Sequence, residues 1–137
     1  MKSTLTTGLF LCIFCLAGKA QQAHELIKSV FFGGGSYYID SEQAAEIREL
    51  VQSVPNLEHY QITISSHTDN IGGVEYNQWL SEQRSESVIR QLENNLVPRE
   101  KVLRQDNGQL NPWFDNSTHH GRQANRRVDI IFTPLYF

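Results

Sequence analysis

The stretch SHTDNIGGVEYNQWLSEQR, residues 66–84, decides how this chain is read. It joins a polar strand end, carrying His67 and Asp69, through a Gly72-Gly73 turn to a helix carrying Asn77 and Arg84. On its upstream side Tyr60, Ile62 and Ile64 alternate with Gln61, Thr63 and Ser65. That is the two-residue period of a strand with one buried face. Downstream, Leu80, Val88, Ile89 and Leu92 fall on one face of a helix running from about Tyr76 to Asn94, with the small Ser81 and Ser85 between them. Arg84 lies inside that apolar face, where a guanidinium either snorkels to an edge or finds partners, because an unpaired buried charge is costly.

Two readings of the charges remain open on spacing alone. If Asp69 and Arg84 reach one pocket, the carboxylate accepts from an ammonium and the guanidinium donates in a two-pronged fashion to a carboxylate. Together they read the zwitterionic head of an amino acid. In the other reading they form an internal salt bridge that joins loop to helix. A further alternative treats His67, Asp69, His119 and His120 as ligands of a hydrolytic metal, although their spacing matches no two-histidine metal motif. The run Gly121 to Arg127 is basic within an acidic protein, and arginines beside turn residues suit ligand carboxylates or an interface.

Working outward, Val30-Phe31-Phe32 opens a strand, Gly33-Gly34-Gly35 breaks it, and Tyr37-Tyr38-Ile39 resumes β-prone character. The three glycines lack the lysine and spacing of a phosphate-binding loop, so they read as a bend. Asp40 with Gln43 forms a capping box, which starts a helix over Ser41 to Ser53 that Pro55 ends. Val102-Leu103 begins a third strand leading into Asp106-Asn107-Gly108, and Asn111 to Gly121 reads as a long irregular loop. Val128, Ile130 and Phe132 then alternate with Asp129, Ile131 and Thr133 in a last strand from about Arg126 to Thr133. The order β-α-β-α-β-β gives an α+β fold, two helices packed on a mixed sheet.

The chain has 137 residues. Lys2, the apolar run Leu9 to Leu16 and the small residues Gly18 and Ala20 make residues 1–20 a signal peptide. The apolar run is shorter than the roughly 20 residues that span a bilayer. Cys12 and Cys15, the chain's two cysteines, fall within it; neither follows the small residues that a lipid-acylation site prefers. Residues 21–29 read as a short lead-in and residues 30–137 as one domain, too short to hold two cores. Loss of Lys2 and Lys19 moves the net charge from −3 to −5, which argues against a nucleic-acid partner. Nothing in the mature chain reads as a transmembrane segment, and no cofactor is called for.

Three motifs, SHTDNIGG, YNQWLSEQRSESV and NPWFDNSTHHGRQANRRVDI, occur in an order that resembles the C-terminal domain of the OmpA family. This is the peptidoglycan-associating module also found in Pal lipoproteins and flagellar stator proteins. The similarity covers roughly residues 30–133. It implies a non-enzymatic domain that binds the peptide stem of peptidoglycan through diaminopimelate, in an exported protein of the periplasm associated with the outer membrane. In that family the aspartate of the HTD motif and the arginine of the LSxxR motif hold the diaminopimelate, here Asp69 and Arg84. Thr68 and Asn77 match pocket-lining positions, and Arg127 matches the second arginine of the NRR motif. Ser66 replaces the glycine that precedes HTD, and Asp106-Asn107-Gly108-Gln109 replaces a Gly-x-Gly-Glu sequence. The resemblance predicts that Asp69→Ala or Arg84→Ala abolishes wall binding and leaves the fold intact. Outer-membrane proteins are a further class of partner, and a protein-interaction module of an envelope complex is the alternative function.

Overall fold

The computed structural model describes residues 24–136. The signal-peptide reading and both cysteines therefore lie outside the described residues. Four strands, β1 (Leu26–Phe31), β2 (Tyr60–Ser66), β3 (Val102–Asp106) and β4 (Arg127–Pro134), alternate with three α-helices, α1 (Ser41–Ser53), α2 (Val74–Asn94) and α3 (His119–Asn125). The sheet order is β1-β4-β2-β3. β4 pairs antiparallel with both β1 and β2, while β2 and β3 run parallel. The mixed sheet and α+β class match the sequence reading.

α1 forms where the capping box places it. Asp40 accepts from the Gln43 backbone N–H at 2.8 Å, and the Gln43 side chain accepts in return from the Asp40 backbone N–H at 3.1 Å. Three elements differ from expectation. β1 begins at Leu26 rather than Val30, because residues 26–29 continue the ladder opposite Asp129 to Phe132; these residues belong to the sheet and not to a lead-in. Tyr37 to Ile39 is not a strand: the triglycine bend turns the chain away from the sheet, and only the capping segment of α1 follows. The segment read as a loop contains α3, started by the Thr118 hydroxyl, which accepts from the Gly121 N–H at 2.9 Å. A side chain at Gly121 would drive its Cβ into the Asp115 carbonyl, so only glycine lets this short helix close on its own loop.

The core lies between the sheet and the first two helices. Val30, Ile62, Ile64, Val128, Ile130 and Phe132 supply the sheet side; Ile47, Val88, Ile89 and Leu92 supply the helix side. On α2 the small residues let the helix approach the sheet closely. The Ser66 hydroxyl donates to the Ser81 carbonyl at 2.8 Å, and the Gly108 N–H donates to the Ser81 hydroxyl at 3.0 Å. Ser66, the departure from glycine noted above, is fully buried and serves as this tie between β2 and α2.

Candidate functional site

Beyond Ser66 the chain leaves regular pairing but stays held on both sides. The His67 N–H donates to the Arg127 carbonyl at 2.9 Å, and the Thr68 N–H donates to the Gly108 carbonyl at 2.8 Å. Asp69 thus sits at a fixed strand end. Its Oδ1 accepts from the Ile71 N–H at 3.0 Å, closing a side-chain turn. Gly72 follows with a φ of 104°, in the region that favours glycine, and its hypothetical Cβ would lie 2.9 Å from the Tyr76 ring. Gly73 then caps α2.

Arg84 finds its partners in backbone carbonyls. Nε donates to Ser36 at 2.8 Å, Nη1 to His67 at 3.0 Å and Nη2 to Gly33 at 3.0 Å. The guanidinium also lies 5.1 Å from the centre of the Phe32 ring, within cation–π range. Three of its five N–H groups are used in this way. Burial lowers its pKa and the Asp69 carboxylate raises it, with the net result at about 10. Arg84 therefore stays charged at neutral pH.

Asp69 does not pair with Arg84. Its Oδ2 faces Arg126 Nη1 at 3.2 Å, and Arg126 is itself held by Nε donating to the Phe32 carbonyl at 3.0 Å. Asp69, Arg84 and Arg126 line one pocket of about 260 Å³ with Gly34, Gly35, Ile71, Gly72, Tyr76 and Leu80. Asp69 and Arg126 retain side-chain exposures of 8% and 15%, whereas Arg84 forms the floor with no exposed surface.

The other sequence-predicted residues take different places. Thr68 is buried and donates its hydroxyl to the Asp69 carbonyl at 2.9 Å. Asn77 is also buried, and its amide donates to Ile71 O at 3.1 Å and Gln109 Oε1 at 2.6 Å. Both brace the 69–72 loop rather than line the pocket. Arg127 lies on the opposite face of the sheet. Its Nε bonds both Asp129 oxygens at 3.2 and 3.0 Å, and its guanidinium stacks 4.9 Å from the Trp113 ring. Arg126 is the C-cap of α3, with φ −78° and ψ 74°, one residue before β4 begins, and of the two arginines it is the one that lines the pocket. Arg127, within β4, alternates with the core residues Val128, Ile130 and Phe132 and so faces away from the helices. The alternation already visible in the sequence carried this signal.

The metal-ligand reading fares differently. His67 contacts Ser65 at 3.2 Å and packs beside Trp113, with ring centres 6.3 Å apart. His119 and His120 belong to α3. Among the described residues no group of three or more His, Cys, Asp or Glu side chains is placed to hold a metal ion. No helix among them is long and apolar enough to cross a membrane.

The fold and pocket define a class: a small α+β module that presents an acid–base pocket at the end of a central strand. Comparison with known proteins makes this specific. The OmpA family profile matches residues 31–126, and the chain belongs to the OmpA family. It is 31% identical to the outer-membrane lipoprotein YfiB of Pseudomonas aeruginosa over 74% of its own length and 61% of that protein's. It is 38% identical to the probable lipoprotein YiaD of Escherichia coli over 54% of its length and 34% of that protein's. The chain thus spans between a third and two thirds of these relatives. Among solved structures, the peptidoglycan-associated lipoprotein of Burkholderia pseudomallei superposes with a TM-score of 0.70 and 27% identity, over 77% of this chain and 89% of that one. The periplasmic domain of Helicobacter pylori MotB shares the fold, with a TM-score of 0.65 and 22% identity over 79% of this chain and 81% of its own.

Proposed function

We propose that this domain binds peptidoglycan without catalysis, through the diaminopimelate of the peptide stem, as an exported module of the periplasm associated with the outer membrane. The observation that carries the reading is the convergence of one carboxylate, Asp69, and two guanidiniums, Arg84 and Arg126, on a single pocket. The free end of diaminopimelate is an amino-acid head group with one ammonium and one carboxylate. A carboxylate offers about four acceptor sites, and Asp69 uses two, on Ile71 N and Arg126 Nη1. The remaining sites suit the ammonium. The ligand carboxylate goes to Arg126, with the Arg84 charge beneath it.

The volume agrees with so small a ligand, since drug-sized molecules occupy roughly 300–1,000 Å³. The relatives' names point the same way: one solved neighbour is a peptidoglycan-associated lipoprotein. Co-sedimentation with purified sacculi tests the reading. Asp69→Asn and Arg126→Ala are expected to stay in the supernatant while wild type pellets. Pelleting of both variants at the wild-type level would overturn it.

A further inference from the structure

Three aromatic side chains stand exposed beside the charged pocket. Tyr37, Tyr76 and Trp79 are 44%, 45% and 45% exposed. They are packed against one another, Tyr37 edge-on to Trp79 at 5.9 Å between ring centres and Tyr76 tilted to Trp79 at 5.8 Å. Tyr76 is at the same time a wall of the pocket. Val74 and Ile71, 55% and 64% exposed, extend the surface along the start of α2. Contiguous exposed apolar surface on a small domain marks a binding site more often than chance, and aromatic rings held by each other present a rigid face at little entropic cost.

The occupant follows from how the pocket's ligand is tethered. A stem held by the free end of its diaminopimelate is separated from the lactyl group of the muramic acid by that residue's own arm and two further residues, one of them joined through its side-chain carboxyl, a reach of roughly 15 Å when extended. That length carries the sugar past the pocket rim at Tyr76 and over the rings that extend outward from it, Trp79 and Tyr37. A pyranose ring has an apolar C–H face ringed by hydroxyls, and such a face complements the negative face of an aromatic ring. We propose that Tyr37, Tyr76 and Trp79 form a saccharide platform that takes the sugar bearing the stem peptide. This inference rests on the diaminopimelate reading of the pocket.

The test compares two ligands, a disaccharide–tripeptide muropeptide and the same tripeptide without sugar. Trp79 and Trp113 are the chain's two tryptophans, so Trp113→Phe leaves Trp79 as the sole reporter. The muropeptide is expected to bind roughly tenfold tighter than the tripeptide and to change Trp79 emission, which the tripeptide leaves unaltered. Trp79→Ala, at an exposed site, is expected to lower muropeptide affinity to that of the tripeptide and to leave tripeptide affinity unchanged. Equal affinity of wild type for the two ligands would overturn the platform and spare the pocket, as would Trp79→Ala with no effect on either. Failure of wild type to bind the tripeptide would instead overturn the pocket reading on which the platform depends.

Discussion

Replacement of Arg84 is predicted to unfold the site rather than merely disarm it. The guanidinium donates to the carbonyls of Ser36, His67 and Gly33, the last of which also accepts from the Ser36 N–H at 3.2 Å. Arg84→Met keeps most of the side-chain volume and removes all three bonds. The bond to His67 is buried, and an acceptor left there without its donor costs about 1–3 kcal/mol; the bonds to Ser36 and Gly33 are part-buried, so water recovers some of their loss. The three costs are not additive, because the groups share one network. Removing the charge also removes its desolvation penalty and leaves no charge unpaired, since the partners are neutral carbonyls and Asp69 keeps Arg126, so the net loss should be about 2–3 kcal/mol. With a urea slope of roughly 1–3 kcal/mol/M, the unfolding midpoint should fall by about 1 M. Urea denaturation followed by far-ultraviolet circular dichroism measures this. An unfolding free energy for Arg84→Met within about 0.5 kcal/mol of wild type would refute the structural role. The expectation that Arg84→Ala leaves the fold intact is therefore replaced: Asp69 and Arg126 are the positions at which binding separates from stability.

Other outcomes follow from the same geometry. Arg126→Ala should abolish sacculus binding, whereas Arg127→Ala, on the far face, should leave it intact while lowering stability through loss of the Asp129 and Trp113 contacts; equal binding loss in both would contradict the assignment of faces. The His67 pKa is lowered first by burial and then by Arg127, with Asp129 opposing. Its unfolded form therefore takes up a proton before its folded form does. Stability should be fully present above about pH 6.5 and decline as pH falls below it; His67→Asn, followed by thermal melts between pH 7 and 5.5, should flatten that slope. Asp40→Ala removes the cap of α1 and should cost about 1 kcal/mol in chemical denaturation without altering wall binding. Gly72→Ala forces a side chain into the left-handed region and against Tyr76, so calorimetric titration should show weakened binding along with a loss of about 1–2 kcal/mol in stability.

Much of this was legible before any coordinates. The Asp40–Gln43 box, the alternation of Tyr60 to Ile64 and the apolar face of α2 each depend on residues close in sequence, and each is found as read. The isolated arginine within the α2 face signalled a buried charge in need of partners. Its partners are backbone carbonyls from Gly33, Ser36 and His67, distant in the chain, and no local pattern encodes them. α3 was missed because seven residues beginning His-His-Gly carry little helical periodicity; its existence depends on the Thr118 cap and on close packing at Gly121. The outward placement of Arg127 was legible by its alternation with Val128, Ile130 and Phe132, yet the motif resemblance pointed to this second arginine.

The most direct test of the account uses two stem tripeptides that differ only in their third residue, diaminopimelate or lysine. Lysine keeps the side-chain ammonium and lacks the side-chain carboxylate, so it offers Asp69 its partner and Arg126 none. Isothermal titration of the wild-type domain should give saturable binding for the diaminopimelate peptide, and for the lysine peptide binding at least about tenfold weaker, the worth of roughly 1.4 kcal/mol. Equal affinity for the two peptides, or no binding of either, would contradict it.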